Sequence, residues 1–558
     1  MVGIMIFDKT KGFLIFKNLH VPEEQKSSQL GDLRFVDNGL HKFKNDEVLY
    51  QKENDVFWLD GFILNKNELM SDNKTWTECY VDMATDSSFP VELRGGFCGL
   101  IRRKDNLKIF CDHVGNRTLY YYANNNTIAI STRISYLIEL LEYNGIKIDI
   151  DNQAVRYMVD QGFMLDDTTY VRQIKRVLPG EIVTIKNSGI LKKKYYSIDN
   201  TKICNKLTEE EAIKKIDKAF KKAIQREYEK DEEYGYQHLV DLSGGLDSRM
   251  NSFVAHKMGF VWQYHITYCK SGYLDFKIAQ KIAKELKHRF FYMSLDDFRW
   301  FLDIDKNVEL NNGAAYYVGI TGGISLLETI NADKFGIEHT GMVGDAILST
   351  FYQNEAYNYG KASGRENTYS QKTLYDVPDN VLNQYDNREL FSIYTRGLLG
   401  AQSSYFSRQN FVETYSPFLD VDFLNCIFEI PFKYRKKHYI YLKWIKQCYP
   451  EAAEYGWEKW NGIRPKESNR WKKKICIMIR KCIPQKQQKN HMNPIDYWYQ
   501  NDSEVQKKID KYISENEIFL QYLEDDVKDG VIKCLNKDSV VQRAQALTVL
   551  AMLKRIYG

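Results

Sequence analysis

Six consecutive residues, Ser243-Gly244-Gly245-Leu246-Asp247-Ser248, have the types and the order needed to grip a phosphate. Two adjacent glycines let backbone amides approach an anion closely, and the flanking serines add hydroxyl donors. An apolar run precedes them and a helix-like segment follows, so loop amides and the positive end of a helix dipole converge on one point. Asp247 would repel a phosphate unless a cation lay between them, which implies Mg²⁺. No lysine follows the glycines, so this is neither the nucleotide loop ending in Gly-Lys-Ser/Thr nor the spaced dinucleotide fingerprint. Thr340-Gly341-Met342-Val343-Gly344-Asp345 supplies a second glycine-framed turn with one carboxylate. Alone it reads as an ordinary tight loop. Beside the first, it completes a pair of carboxylates able to hold magnesium on a polyphosphate.

Those residues need rigid elements beneath them, and the patterning supplies two kinds. From Met1 to about residue 200, strand-like runs alternate with Asn, Gly and Asp, as in Val56-Phe57-Trp58-Leu59, Leu107-Lys108-Ile109-Phe110 and Thr118-Leu119-Tyr120-Tyr121-Tyr122. Asn124-Asn125-Asn126 marks a hairpin turn before Ile128-Ala129-Ile130. Near residue 205 the character changes: Thr208 and Glu211 form a capping box ahead of Ile213, Ile216, Phe220 and Ile224 on one helical face. Strand 238–242, a helix stopped by Gly259, strand 262–268, a helix with Ile278, Ile282 and Leu286, and strand 290–295 follow. That rhythm means a parallel sheet with crossover helices, and beyond about residue 300 the chain reads as mostly helical. The expected fold class is α/β plus α+β: an antiparallel unit at 1–200 and a parallel-sheet unit at 205–558 with a helical extension.

Hydrophobic residues make up 44% of the 558 and charged residues 27%, which describes a folded chain rather than a disordered one. A net charge of +4 over this length is too mild to argue for a polyanion, and no nucleic-acid partner is expected. The 10 cysteines include no Cys-x-x-Cys pair and no His/Cys cluster at zinc spacing, so they read as reduced thiols in a cytoplasmic protein. Neither a signal-peptide pattern nor a run of about 18 apolar residues is visible. One segment is compositionally unusual: at 470–481, Arg470, Lys472, Lys473, Lys474, Arg480 and Lys481 surround Ile475, Ile477, Met478 and Ile479. A solvated helix is its ordinary reading; contact with a membrane surface or an anionic substrate is the functional one.

Ser-Gly-Gly-Leu-Asp-Ser at 243–248 matches, residue for residue, the pyrophosphate loop of the asparagine synthetase family, which also includes beta-lactam synthetases and lasso-peptide cyclases; the chain resembles that family. Asp345 falls on the family's second magnesium-binding aspartate. The stretch from Glu413 to Asp420 keeps the pattern Glu-x-Arg-x-Pro-Phe-Leu-Asp except that Tyr415 replaces arginine. Trp457-Glu458-Lys459-Trp460-Asn461-Gly462 lies where the family carries a lysine that stabilises the adenylation transition state, here Lys459. The first half is similar to the family's amidotransferase at Asp60–Leu69, at Gly95-Gly96-Phe97 and at Asp112–Tyr121, which implies an N-terminal-nucleophile (Ntn) β-sandwich with helices. The resemblance implies that Leu242, Ser243, Gly244, Gly245, Asp247, Ser248, Thr340 and Gly341 bind ATP through its pyrophosphate. It further implies that Asp247 and Asp345 hold Mg²⁺ and that Lys459 is catalytic. A substrate carboxylate would attack the ATP α-phosphorus, pyrophosphate would leave, and an amine would take the acyl group as an amide. Charge gathering at the α-phosphate is what Lys459 and the loop amides would stabilise.

Three positions depart from the family. Val2 stands where it has a cysteine nucleophile, and Asp60 stands at its oxyanion-hole asparagine, so no glutaminase activity is expected. Met342 replaces a glutamate or tyrosine that helps deprotonate the amine, and a thioether cannot accept that proton. Another base is then needed, either a carboxylate from elsewhere or His339, whose ordinary reading is a hydrogen-bonded structural residue. The amine is free ammonia, a partner's product or an amino group on a second substrate. The leading expectation is an amide-forming ligase using ATP and Mg²⁺, its carboxylate a sugar acid or another acid of polysaccharide assembly. A lasso-type macrolactam cyclase and an ammonia-dependent asparagine synthetase are the alternatives. A non-catalytic scaffold would have no physical reason to keep both carboxylates, and a nucleic-acid enzyme would add cysteine pairs or an RNA-binding module.

Overall fold

The computed structural model describes residues 10–558 apart from 105, 298, 320, 321, 371, 466–468, 470, 473, 476, 477, 479–490 and 538. Val2 and most of 470–481 therefore lie outside the described residues; within that segment Trp471, Ile475 and Met478 are exposed.

Period-two alternation with both faces apolar governs the first half. In β1 (Gly12–Lys17), Phe13 and Ile15 enter one apolar cluster while Leu14 and Phe16 enter another. Such a strand must lie between two layers. It is followed by β2 (Ser28–Leu30), β3 (Leu33–Asn38), β4 (Val48–Lys52), β5 (Asp55–Ile63) and β6 (Gly95–Arg103). Then come β7 (Asn106–Cys111), β8 (Tyr120–Asn124), β9 (Thr127–Ser131), β10 (Lys175–Arg176), β11 (Glu181–Lys186) and β12 (Gly189–Lys194). Among the described residues they build two antiparallel sheets, ordered β10-β8-β9-β1-β3-β2 and β12-β11-β7-β6-β5-β4. Phe13, Ile15 and Phe35 of the first sheet meet Trp58, Leu100 and Ile109 of the second. Helices Ile134–Tyr143 and Asn152–Gln161 cover the outer face of the first sheet, and helix Trp76–Met83 covers that of the second. The expected hairpin joins β8 to β9, with Asn125 at φ 52°.

Helix Glu209–Glu233 opens the second half at the Thr208–Glu211 capping box and buries Ile213, Ile216, Phe220 and Ile224. Behind it lie β13 (Gln237–Asp241), β14 (Gln263–Cys269), β15 (Arg289–Ser294), β16 (Phe335–His339) and β17 (Glu413–Tyr415), all parallel, in the order β15-β14-β13-β16-β17. The chain leaves β13 first to one side and later returns to the other. That reversal opens a crevice beyond the carboxyl end of β13, which is where open parallel sheets bind ligands.

Two findings correct the sequence reading. Residues beyond 300 read as helical, yet β16 and β17 complete the sheet. Their patterning is broken by Glu338, His339 and Glu413, each buried and paired, with Arg408, Asp231 and Arg117 respectively. The helical extension also reaches beyond its own sheet: helix Val540–Tyr557 shares an apolar cluster with helix Ile134–Tyr143 of the sandwich. No helix among the described residues is long and apolar enough to cross a membrane.

Candidate active site

The loop 243–248 leaves the carboxyl end of β13 and runs into helix Asp247–Lys257. Its donors are satisfied by neighbours. The Ser243 N–H donates to Ser248 Oγ at 3.1 Å, that of Gly245 to Ser243 Oγ at 3.1 Å, and that of Gly244 to Asp275 Oδ1 at 2.8 Å. An arriving anion would take over donors now held by two hydroxyls and one carboxylate. Burial, and then the nearby Glu458, push Asp275 up to about 7, so this competitor can be neutralised by a proton near neutral pH. Arg249, fully buried, fixes the loop from behind by donating to the Gly244 carbonyl at 3.2 Å and to the Ala452 carbonyl at 3.0 Å.

The second loop follows β16 and presses directly on the first. A Cβ at Gly341 would stand 2.4 Å from the Ser248 nitrogen, and one at Gly344 would stand 2.9 Å from Asp247 Cγ. Glycine is what lets the two loops touch. Between them Val343 holds φ at 63°, a left-handed conformation that costs a β-branched residue about 1–3 kcal/mol and is retained where a site demands it. In consequence the Asp345 N–H donates to Asp247 Oδ2 at 3.0 Å, while the Tyr441 hydroxyl donates to Oδ1 at 2.7 Å. Burial, and then the Asp345 carboxylate, push Asp247 up to about 7.

Lys459 arrives on a third loop, closed by a bridge between Trp457 and Ile463 and tied to the first by a Glu458 N–H donating to the Gly244 carbonyl at 3.1 Å. Its Nζ lies 3.2 Å from Asp345 Oδ2. Residues 243–248, Asp345 and Lys459, far apart in the chain, thus share one crevice rim. Leu242, Thr267, Tyr268, Met342 and Tyr405 line the crevice beside them.

Other expected positions serve the frame. Thr340 is buried, and its hydroxyl donates to the Tyr415 carbonyl at 3.0 Å while its own carbonyl accepts from Asn251 at 2.9 Å. His339, a candidate base, is sealed from the crevice between Glu227 and Asp231, with Tyr228 stacked on its ring at 3.9 Å. It is a structural residue. Tyr441, Asp275 and Arg249 escape sequence reasoning. Only Arg249 carries a signal, an arginine in the buried register of a helix.

Mg²⁺ is the ion the loop chemistry implies, and the donor set fits it. Asp247 and Asp345 offer oxygens from adjoining loops, and burial together with the neighbouring Asp345 raises Asp247 even with Lys459 close by, an environment that a bound cation would relieve. Those two residues would hold the ion, which would offset polyphosphate charge at the crevice.

In the sandwich, Asp60 on β5 is buried and accepts from Arg117 Nη1 at 2.5 Å, while Arg117 Nη2 donates to Glu413 of β17. Burial raises the Asp60 carboxyl, and Arg117 offsets that only in part. Asp60 is therefore an engaged acceptor, held by the same guanidinium that holds Glu413. Tyr415, in place of an arginine, packs edge-on against Phe62 with ring centroids 5.8 Å apart.

A family model for a glutamine amidotransferase domain matches residues 68–196. No curated protein matches the chain. Among solved structures, an allosteric regulatory enzyme of purine biosynthesis is 13% identical, covers 43% of this chain and 56% of its own, and has a TM-score of 0.23. Glutamine phosphoribosylpyrophosphate amidotransferase from B. subtilis, complexed with ADP and GMP, is 12% identical, with 51% and 60% covered and a TM-score of 0.22. The chain spans less than two thirds of the length of either. The matched residues begin after β5 and include β6 through β12, and the chain accordingly contains a glutamine amidotransferase-type domain within its antiparallel sandwich.

Proposed function

We propose that this chain is an ATP- and Mg²⁺-dependent amide-forming ligase of the asparagine-synthetase type. It adenylates a substrate carboxylate, releases pyrophosphate and passes the acyl group to an amine. The observation that carries the reading is the meeting of three loops at one crevice rim: residues 243–248, Asp345 bonded to Asp247, and Lys459 on Asp345. A glycine loop at a helix start suits a polyphosphate, paired carboxylates suit its metal, and a half-exposed lysine at their edge suits charge that develops at phosphorus. The amidotransferase-type sandwich supports amide chemistry, but Asp60, locked to Arg117, opposes its own glutamine hydrolysis. Ammonia, a partner's product or a substrate amine supplies the nitrogen. A sugar acid of polysaccharide assembly is the proposed carboxylate, ahead of a peptide cyclised on itself or aspartate.

The test follows pyrophosphate release from ATP and Mg²⁺ with panels of carboxylates and amines. Release should require a carboxylate, stop when the metal is chelated, vanish in Asp247→Asn and fall about 10²–10³-fold in Lys459→Met. An Asp247→Asn protein with full activity, or ATP binding without release in every panel, would overturn the reading. Glutamine alone should yield no glutamate.

A further inference from the structure

Asp241 is a carboxylate on the crevice wall that no cation holds. It is the last residue of β13, the central strand of the parallel sheet, and the glycine loop begins two residues later. With Tyr268, Met342 and Tyr405 it lines the crevice, a cavity of about 290 Å³, and the residue is partly exposed. The Tyr405 hydroxyl donates to Oδ2 over a long 3.4 Å, while Oδ1 is buried and accepts nothing. Among the described residues no lysine, arginine or histidine forms an ion pair with Asp241. Arg408, whose guanidinium lies over the rings of Tyr268 and Tyr405 at 5.0 and 5.1 Å, is given instead to Glu338 of β16 and to the Tyr268 hydroxyl.

Two carboxyls therefore share the influence of one arginine. Burial, opposed by Arg408 and reinforced by Asp241, raises the Glu338 carboxyl. A carboxylate withdrawn from water is costly until a partner meets it, and an acceptor left without a bond marks a place where a ligand or water completes the set. What this wall lacks is a donor. The loop 243–248 presents amides and hydroxyls, which suit phosphate; Asp241 and the Tyr405 hydroxyl, which keeps its lone pairs, present acceptors, which suit N–H groups. The amide-forming step also wants a base in this crevice, because Met342 on its wall is a thioether and His339 is sealed away between Glu227 and Asp231.

We propose that Asp241 receives the attacking amine, holding it through its N–H groups in the crevice and taking its proton. The inference deepens the ligase reading and rests on it for the acyl group, though the binding of the amine can be read without it. The free amine's lone pair forms the C–N bond at the acyl carbon. The C–O bond to the phosphate breaks and its electron pair leaves on AMP, and the proton shed by nitrogen passes to the Asp241 carboxylate and from there to water. One carboxylate beside a phenol hydroxyl suits ammonia or a primary amine.

Saturation-transfer NMR with methylamine and ethanolamine reads amine binding to the full-length protein without turnover. The native protein should show transfer to both, and Asp241→Asn should weaken their binding by about 10–100-fold, the loss expected for a charge-assisted hydrogen bond. Tyr405→Phe, which keeps the ring, should lose less. ATP–pyrophosphate exchange with a panel of carboxylates reads adenylation, which needs no amine. Asp241→Asn should slow exchange by a small factor and amide formation by about 10²–10⁴-fold, the contribution of a general base. An equal loss of ATP and amine binding would assign Asp241 to the adenine amino group and overturn the proposal. Undiminished amine binding in Asp241→Asn, or no amine binding in the native protein, would overturn it as well. Amine binding that depends on Asp241 without exchange for any carboxylate would sink the ligase reading and leave the amine site standing.

Discussion

Both ring nitrogens of His339 meet buried carboxylates, Nδ1 lying 2.9 Å from Glu227 Oε1 and Nε2 2.9 Å from Asp231 Oδ2. Burial works against an imidazolium, yet those two bonds outweigh it and raise His339 to about 9. An unfolded histidine titrates near 6.5, so the folded state binds the proton more tightly. Its contribution is fully present below about pH 6.5 and is lost as pH climbs through 9, on the order of 3 kcal/mol at most. Thermal midpoints of the native protein should therefore fall between about pH 6.5 and 9 by more than those of His339→Gln. Parallel pH profiles would show that the proton is not held there. Single residues of this kind differ in how far sequence exposes them. The glycine turn at 243–248 ahead of a helix is legible because its residues are contiguous, whereas Tyr441 meets Asp247 only when distant loops close over it.

At the scale of elements, the sheet at the crevice depends on a helix that touches no expected ligand. Phe220 of helix Glu209–Glu233 is fully buried and packs on Phe418 at 4.7 Å and on Trp444 at 5.1 Å. Phe418 lies in turn against Gly344, where an added Cβ would stand 2.9 Å from its ring. The helix thus supports the carboxylate loop through one aromatic contact. Phe220→Ala should cost about 3–5 kcal/mol and weaken metal-dependent nucleotide binding, while Lys218→Ala on the exposed face should stay within about 0.5 kcal/mol. Thermal unfolding together with ATP titration checks both, and equal midpoints for the two variants would defeat the packing argument. This helix, like β13, β14 and β15, is legible to within about a residue because capping and apolar spacing agree. Strands β16 and β17 are hidden, since Glu338, His339 and Glu413 look like solvent-facing residues until Arg408, Asp231 and Arg117 are folded against them.

Over the whole molecule, the two halves are joined by chemistry as well as by chain. Arg117, in the amidotransferase-type domain, reaches Asp60 on β5 with one arm and Glu413 on β17 with the other, and all three are buried. Burial raises both carboxyls, and Arg117 is the chief influence opposing that rise. Removing the arginine alone would strand two carboxylates in a dry interface, a loss of about 3–5 kcal/mol for a broken buried pair. Arg117→Met should therefore unfold at a markedly lower temperature. Its deficit should shrink as pH falls from about 8 to 5, because the stranded carboxyls escape by taking up protons. Adding Asp60→Asn and Glu413→Gln to the same chain should restore much of the loss at pH 8, since replacing every charged partner removes the penalty that breaking one creates. A deficit that is independent of pH, or a triple variant no more stable than Arg117→Met, would mean that the link between the halves is carried by the shared apolar clusters and not by this triad.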